Sequence, residues 1–409
     1  MIDLALGRRL MERLEALARF SDDADALTRL YLSPAHRRAV DALANWMREA
    51  GMAFHMDALG TLVGRYEGAL PDAPALLIGS HIDTVRNAGK YDGALGVLAA
   101  LTAIETLARK GERLPYAIEM VAFGDEEGVR FPSTLRGSRA LAGRLDAASH
   151  DERDSAGISV RDALVAFGCD PARSGEVAMV RGAALGFIEL HIEQGPVLER
   201  ADQPVGVVTA INGARRLKVV VEGKAGHAGT VPMTMRCDSL AAAAEMVLAV
   251  ERIAKATADV VATVGVIDAR PGAVNVIPGQ TMFTIDARAP DDVRRDAACD
   301  SIADAIDGIA ARRGLVATIE TTHRAPATAC DPALIAALTA AAERAGYAPL
   351  QLPSGAGHDA MAMAALCPVA MLFVRCAGGV SHHPAEAITL EDADAAMRVL
   401  LDFLRNYTP

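Results

Sequence analysis

The sequence predicts an α/β protein: a larger domain built on a doubly wound sheet, interrupted by a smaller ferredoxin-like α+β domain. Short apolar runs alternate with helical stretches in the first half of the chain, and the order of elements changes after Asn212. The length also favours two domains, because 409 residues are more than one ordinary hydrophobic core accommodates.

The first half contains the signals of a doubly wound sheet. Apolar runs predict buried strands at 75–79, 117–124 and 184–193, and helical periodicity with a closing glycine predicts a helix over 96–111. In such sheets, ligands bind beyond the carboxyl ends of the strands. We therefore looked for chemistry in the residues that follow each strand.

A second pattern begins after Asn212 and has the order strand, helix, strand, strand, helix, strand. The predicted strands are 216–223, 260–269, 281–289 and 315–322, and the predicted helices are 238–256 and 292–314. This order is typical of the ferredoxin-like unit. We therefore predict one domain from 1–212 plus 327–409, and an inserted domain over 213–326.

Composition and charge exclude several classes of protein. Hydrophobic residues make up 51% of the chain and charged residues 23%, which indicates a packed globular protein. The net charge of −11 argues against nucleic acid or an anionic membrane as partner. No apolar run is long enough to span a membrane, and Glu12 and Glu15 interrupt the N-terminal segment, which we interpret as an amphipathic helix rather than a targeting signal.

The six cysteines are scattered and form no CxxC pair. This spacing indicates reduced cysteines rather than a disulfide framework or a thiolate metal site. We therefore expect a cytoplasmic protein.

Histidines and carboxylates follow four apolar runs, namely the three predicted strands above and a fourth run at 369–374. They are His81, Asp83 and Asp92; Asp125, Glu126 and Glu127; His191 and Glu193; and His382 with His383. Taken singly, a histidine that ends a strand is more often structural, and an acidic triplet is more often a solvated loop. Four strand ends at one sheet edge, however, predict a shared site. Mixed histidine and carboxylate ligands suit Zn²⁺ or Mn²⁺ in a hydrolytic centre, and a shared carboxylate would hold two ions about 3.5–4 Å apart.

Seven segments resemble, in order and spacing, the hydantoinase/carbamoylase branch of the aminoacylase/carboxypeptidase metallohydrolases. They are GSHIDTVRNAGKYDG (79–93), GDEEGVRF (124–131), LHIEQGP (190–196), AGHAGTVPM (225–233), NVIPG (275–279), SGAGHDA (354–360) and SHHPAE (381–386). The resemblance extends over roughly residues 60–400. It implies two divalent metal ions per subunit, Zn²⁺ or Mn²⁺, and an inserted domain that acts as lid and as the surface of a homodimer.

The resemblance also implies a ligand set. His81 and His191 are expected as terminal ligands and Asp92 as the bridging carboxylate. Glu127 is expected to join one metal ion, and His382 to complete the other. His383 is not expected to bind metal, because relatives often have asparagine there.

Three catalytic roles follow from the same motifs. Glu126 is expected to be the general base, since it lies next to a ligand and within reach of a metal-bridging water. Asp83 is expected to orient His81 through its other ring nitrogen. His227, on the inserted domain, is expected to stabilise the oxyanion of the tetrahedral intermediate, often in the site of the neighbouring subunit.

The substrate contacts implied by the resemblance involve residues on both domains. Asn275 and Arg288 are expected to hold the substrate carboxylate, for which arginine provides a bidentate clamp. The further expected contacts are Gln194, Gly357 and His358. His36, His55, His150 and His323 match no motif, and we predict no role for them.

The implied reaction is hydrolysis of a ureido (N-carbamoyl) group on a small carboxylic acid, with release of carbon dioxide and ammonia. Allantoate is the favoured substrate, and an N-carbamoyl-L-amino acid or the substrate of a β-ureidopropionase is the alternative. A dipeptidase or aminoacylase remains open, although LHIEQGP argues against both. A non-catalytic metal-binding homologue is a further alternative, disfavoured because all five ligands and Glu126 are present.

Overall fold

The computed structural model describes residues 4–408, and the chain forms two compact units. The first comprises the described residues up to Thr209, Cys330–Leu352 and the residues from Ala356 onward. The second comprises Ala210–Ala329 together with Pro353–Gly355. The division lies close to the predicted boundaries, but the sequence did not indicate that Pro353–Gly355 belongs to the second unit.

The described residues form both helices and strands, in places with several strands in succession. The helices are α1 (Ala5–Ala18), α2 (Pro34–Glu49), α3 (Ala94–Arg109), α4 (Arg136–Leu141), α5 (Val160–Phe167), α6 (Val197–Arg200), α7 (Ser239–Ala256), α8 (Asp292–Arg312), α9 (Pro332–Arg344), α10 (Asp359–Met363) and α11 (Leu390–Asn406). The strands are β1 (Ala53–Met56), β2 (Leu62–Tyr66), β3 (Ala75–His81), β4 (Ala117–Phe123), β5 (Ala184–Ile192), β6 (Val205–Ile211), β7 (Gly213–Glu222), β8 (Gly226–His227), β9 (Val261–Thr263), β10 (Ile267–Arg270), β11 (Val276–Ile277), β12 (Gln280–Ala289), β13 (Val316–Ala325), β14 (Thr328–Ala329), β15 (Leu350–Ser354) and β16 (Val369–Val374).

The sheet of the first unit is mixed, with the order β1-β2-β4-β3-β5-β16-β6. Its four central strands, β4, β3, β5 and β16, are parallel, whereas β1, β2 and β6 pair antiparallel. Both β3 and β16 are buried along their whole length, as expected for parallel strands covered on two faces. The α/β prediction is confirmed, and the antiparallel outer strands are an addition to it.

Helix α3 packs closely on the sheet and helps to position the strand ends. Every residue from Ala94 to Leu107 is buried, so the helix is apolar on nearly all sides. A Cβ atom on Gly96 would lie 2.4 Å from the carbonyl oxygen of Leu190 and 2.9 Å from Cβ of Ser80. Only glycine therefore allows this close contact between α3 and strands β3 and β5.

The second unit is an antiparallel sheet with the order β10-β12-β7-β13, in which β9 also pairs with β12. Alternate residues of β12 are buried, and this face packs on α7 and α8 through residues such as Phe283, Met246 and Ile306. The prediction of one strand over 260–269 is wrong: Val261–Thr263 and Ile267–Arg270 are separate strands. Gly265, which has no side chain to pack, lies in the break between them.

The predicted N-terminal helix corresponds to α1, apart from residues 1–3, which lie outside the described residues. Within residues 4–408, no helix is both long and apolar enough to cross a membrane.

Candidate metal centre and active site

The carboxyl ends of the parallel strands bring the predicted ligands to one edge of the first unit. His81 is the last residue of β3, and His191 is the penultimate residue of β5. Glu126 and Glu127 follow β4 after a short turn, and His382 lies in the loop after β16. The alternation of strand and helix in the sequence was sufficient to predict this meeting point.

One group of possible ligands consists of His81, Asp92 and His191, all buried. Oδ1 of Asp92 lies 3.4 Å from Nε2 of His81 and 3.1 Å from Nε2 of His191. The other ring nitrogens bond to main-chain carbonyl oxygens, at 3.0 Å to Asp83 and 2.9 Å to Ile192. These bonds hold Nδ1 in place and leave both Nε2 atoms facing Asp92.

A second group consists of Asp92, Glu127 and His382. Nε2 of His382 lies 3.2 Å from Oδ2 of Asp92 and 3.6 Å from Oε2 of Glu127. Asp92 thus offers one oxygen to each group, the geometry of a bridging carboxylate. Glu127 and His382 were expected on different ions, whereas here the loops after β4 and β16 bring both side chains to the same side of Asp92.

The residues fit two divalent cations. The ligand atoms of each group lie within 4.8 Å of one another, and Oε1 of Glu127 is buried without a hydrogen-bond partner among the described residues. Burial opposes ionisation of Asp92, yet hydrogen bonds with His191, His382 and His81 hold its pKa well below the usual range. Burial, with the charge of Asp92, raises the pKa of Glu127 to about 7. These carboxylates need positive charge close by, and divalent cations provide it.

Asp83 contacts His81 differently from the expectation. The main-chain carbonyl of Asp83, rather than its carboxylate, accepts the bond from Nδ1 of His81; the nearer carboxylate oxygen is 3.8 Å away. The carboxylate instead accepts the main-chain N–H groups of Glu126 at 3.2 Å and Glu127 at 3.3 Å. Asp83 therefore orients the acidic loop as well as the histidine.

Glu126 lies beside the ligands, as a general base requires. Its Oε2 is 3.9 Å from Nε2 of His81, and it forms a third possible ligand group with His81 and Glu127. Burial raises the pKa of Glu126 well above its usual range. The charge of His81 lowers this pKa, whereas the charge of Glu127 raises it further. A Cβ atom on Gly357 would lie 4.0 Å from Oε1 of Glu126, so Gly357 lies next to this carboxylate.

Gln194 and Ser381 add polar contacts to Asp92. Nε2 of Gln194 donates to Oδ2 of Asp92 at 2.9 Å and to Oγ of Ser381 at 3.0 Å. Oε1 of Gln194 is buried and has no partner among the described residues. It is therefore available as an acceptor for a substrate N–H. The ring of His358 packs edge-on against His191, with 4.5 Å between centroids, so this predicted substrate contact also touches a predicted ligand.

The other three predicted residues lie in the second unit. His227 is exposed on β8 and pairs with Val276, beside Asn275, whose carbonyl oxygen accepts the N–H of Ala228 at 2.9 Å. Nδ1 of His227 accepts the N–H of Gly229 at 3.1 Å, so a neutral ring carries its proton on Nε2 and can donate it. Arg288 already bonds to Asp286 at 2.9 and 3.0 Å and to the carbonyl of Gly355 at 2.7 Å.

Sequence reasoning missed several residues that hold the site together. Glu386 accepts the N–H groups of Tyr91 and Asp92, and Arg136 is buried against Asp125. A Cβ atom on Gly93 would lie 2.4 Å from the ring of His81. The only sequence signal was that Gly93 and Glu386 fall within the quoted motifs; the contacts themselves join distant segments.

Three site residues, Asp125, Gln194 and His382, have left-handed backbone conformations, with φ values of 68°, 56° and 55°. Residues other than glycine adopt this conformation at some energetic cost, and such positions concentrate at functional sites. The surrounding hydrogen bonds must therefore hold these three residues in place.

Comparison with known proteins places these features in a family. Residues 77–406 match the family described as peptidase family M20/M25/M40. The chain is 44% identical to allantoate deiminase of Arabidopsis thaliana, with 96% of this chain and 81% of that protein covered. It is 42% identical to N-carbamoyl-L-amino acid amidohydrolase of Geobacillus stearothermophilus, with 96% and 97% covered. The crystal structure of a hydantoinase/carbamoylase family amidase from Burkholderia multivorans matches with a TM-score of 0.92 at 35% identity, covering 97% of both chains.

These matches confirm the resemblance that the motifs indicated, and they decide in favour of an enzyme over a non-catalytic homologue. The chain belongs to peptidase family M20/M25/M40, is related to its hydantoinase/carbamoylase amidases, and is a hydrolase that acts on carbon–nitrogen bonds.

Proposed function

We propose that the protein is a metal-dependent amidohydrolase that cleaves the ureido group of a small carboxylic acid, with allantoate as the favoured substrate. The observation that carries the proposal is the position of Glu126: a largely buried carboxylate, 13% exposed, beside two ligand groups that share Asp92. The names of two relatives, an allantoate deiminase and an N-carbamoyl-L-amino acid amidohydrolase, both refer to ureido compounds.

The proposed centre holds two divalent ions, Zn²⁺ or Mn²⁺. His81, His191 and Asp92 would hold one, and Asp92, Glu127 and His382 the other. When bound, the ions supply polarisation of the ureido carbonyl and a lowered pKa for the attacking water.

The residues of the chain perform the proton transfers. Glu126 accepts a proton from the attacking water at a carboxylate oxygen and delivers it to the leaving nitrogen. His227 donates from Nε2 to the oxyanion, the proton position that the bond from Gly229 favours. Addition of water across the ureido group then gives an amine, carbon dioxide and ammonia.

Recognition of the substrate is assigned to groups on both units. Oε1 of Gln194, buried and available, is proposed to accept a ureido N–H. Arg288, with Asn275, is proposed to hold the carboxylate; its bond to Asp286 fixes the orientation of the guanidinium. Gly357 and His358 are proposed to line the space next to Glu126.

We also propose the second unit as lid and as the surface of a homodimer in the cytoplasm. Leu240 and Leu248 are 38% and 63% exposed and lie two turns apart on one side of α7. An exposed apolar strip of this kind is suited to pairing with a second copy. Light scattering of the purified protein measures whether the mass is that of one chain or two.

Ammonia release tests the substrate. Metal-stripped protein, reloaded with Zn²⁺ or Mn²⁺, is assayed with allantoate, a panel of N-carbamoyl-L-amino acids and N-carbamoyl-β-alanine, with Glu126→Gln as the matched control. Metal-dependent release from allantoate alone supports the favoured substrate. Release from the N-carbamoyl-L-amino acids supports the second candidate, the activity named for the Geobacillus stearothermophilus relative. No release from any of them, with both ions bound, contradicts the ureido reaction.

A further inference from the structure

Glu386 is a buried carboxylate that joins the loop carrying Asp92 to the loop carrying His382. It is 4% exposed. Its Oε1 accepts the main-chain N–H groups of Tyr91 at 2.9 Å and Asp92 at 3.1 Å. Its Oε2 lies 3.1 Å from Oγ of Ser381, the residue before His382. One side chain therefore bonds to the backbone of one ligand and to the immediate neighbour of another.

The loop before Asp92 is shaped around this side chain. A Cβ atom on Gly89 would lie 2.3 Å from Oε1 of Glu386 and 2.4 Å from its Cβ and Cδ atoms. No residue with a side chain fits at position 89 while Glu386 keeps its place. The segment from Gly89 to Asp92 thus both makes room for the carboxylate and donates to it.

Ser381 connects the same carboxylate to Asp92 itself. Its Oγ lies 3.0 Å from Oδ2 of Asp92 and 3.1 Å from Oε2 of Glu386, and it accepts a hydrogen bond from Gln194. A hydroxyl has one proton, so it donates to only one of the two carboxylates at a time. When Oδ2 of Asp92 is engaged by a cation, Glu386 is the acceptor that remains for Ser381.

The two groups of metal ligands depend to different degrees on the hydrogen bonds of Glu386 and Ser381. His81 and His191 lie on strands β3 and β5, and both rings are buried. The His382 side chain is 51% exposed, and its backbone has a φ of 55° in a loop. Little packing therefore holds His382, and hydrogen bonds within its loop must do so.

We propose that Glu386 is a positioning residue for the metal centre, and that Gly89 and Ser381 act with it. It holds the Asp92 and His382 loops together, and it matters most for the ion shared by Asp92, Glu127 and His382. The inference rests on the proposed two-ion centre but not on the identity of the substrate. Removing groups that support metal ligands typically lowers metal affinity by about 10- to 100-fold.

The test compares four variants of the full-length protein. Glu386→Ala removes the carboxylate, and Gly89→Ala displaces it without removing it. Glu386→Gln keeps an acceptor for the two main-chain N–H groups. Asp394→Asn is the matched control, because Asp394 is also a buried carboxylate that accepts a main-chain N–H, from Gly7 at 3.1 Å, but contacts no predicted ligand. Competition with a chromophoric chelator gives the two Zn²⁺ dissociation constants, and thermal melting of the metal-free proteins reports folding.

We expect Glu386→Ala and Gly89→Ala to lower the affinity for one Zn²⁺ ion by about 10- to 100-fold. The affinity for the other ion should stay within about threefold of wild type. Glu386→Gln should give a smaller loss, and Asp394→Asn should lower the melting temperature without changing either constant. The proposal would be overturned if the Zn²⁺ affinities were unchanged in Gly89→Ala and Glu386→Gln. It would also be overturned if the affinities for both ions fell equally. If wild type binds two ions but releases no ammonia from ureido substrates, the proposed function fails while these affinities still decide the role of Glu386.

Discussion

Arg136 donates from Nε to the carboxylate of Asp125 at 2.9 Å, and each side chain is only 1% exposed. Asp125 directly precedes the proposed base, Glu126. Burial raises the pKa of Asp125 well above its usual range, and the positive charge of Arg136 opposes that rise. Arg136 is held in turn by Ser149 and Glu152, so the acidic loop rests on a buried charged network.

Arg136→Met should strongly destabilise the metal-free protein. It leaves Asp125 buried without its partner, and breaking a buried pair on one side costs about 3–5 kcal/mol. Urea unfolding of the full-length protein measures the loss in the free energy of unfolding of the first unit. The double variant Asp125→Asn/Arg136→Met should recover part of it, because no buried charge is then left unpaired. A loss below about 1 kcal/mol in the single variant would show that the pair is not needed for the fold.

Glu126→Gln and Glu127→Gln should separate chemistry from metal binding. The first removes the proposed base but no ligand of the two main groups, so both ions should stay bound while kcat falls about 10²- to 10⁴-fold. The second removes a ligand and should lower the metal content. Elemental analysis with steady-state ammonia release distinguishes them. Near-normal turnover of a fully loaded Glu126→Gln protein would exclude Glu126 as the base.

Gly93→Ala should weaken metal binding through His81. Gly93 has a φ of 63°, and an added Cβ atom would lie 2.4–2.5 Å from three atoms of the His81 ring. Gly111→Ala is the control, since Gly111 has a φ of 65° and nothing within 4 Å of an added Cβ atom. Both variants place a Cβ atom on a residue with positive φ and therefore strain the backbone, but only Gly93→Ala should lose Zn²⁺ affinity. Equal Zn²⁺ affinities of Gly93→Ala and Gly111→Ala would contradict the steric argument.

His36, for which no role was predicted, should make stability depend on pH. It is fully buried, stacks on Phe167 and accepts the N–H of Leu32 at Nδ1. Burial lowers its pKa from 6.5 to about 3, and the charge of Arg29 adds to the effect. The unfolded chain therefore binds a proton below about pH 6.5 that the folded chain does not bind until about pH 3.

The sign follows from this difference: the stability due to neutral His36 is present above pH 6.5 and is lost progressively as the pH falls toward 3. Between pH 6.5 and 4.5, the free energy of unfolding of wild type should fall by about 2–3 kcal/mol more than that of His36→Asn. In this variant the asparagine oxygen can still accept the N–H of Leu32. Urea unfolding at a series of pH values measures this. The control is His55→Asn, at an exposed histidine. Parallel pH profiles for wild type and His36→Asn would contradict the account.

The sequence was sufficient for features that depend on local pattern. Apolar runs predicted the central strands, and His81 and His191 at the ends of two of them predicted the edge of the sheet where ligands meet. Motif resemblance supplied Asp92, whose two oxygens face the two ligand groups. Strand order and burial were enough because parallel strands place their carboxyl ends together.

The rest depends on contacts between distant segments, which a single sequence does not contain. Glu386 reaches the backbone of Tyr91 and Asp92 across most of the chain, and Arg136 meets Asp125 only because the acidic loop turns back on itself. The same holds for Glu127 and His382, which were expected on separate ions but share one group. Asp83 contributes its main-chain carbonyl to His81, while its carboxylate accepts two N–H groups from the acidic loop.

The most direct test of the central claim is the number of metal ions that ureido hydrolysis requires. Metal-free protein is titrated with Zn²⁺ or Mn²⁺, and ammonia release from allantoate and N-carbamoyl-L-amino acids is plotted against ions bound per subunit. Because Asp92 joins two ligand groups, we predict no release without metal and a maximum at two ions. Full activity at one ion, or none from any ureido acid at two, would contradict the account.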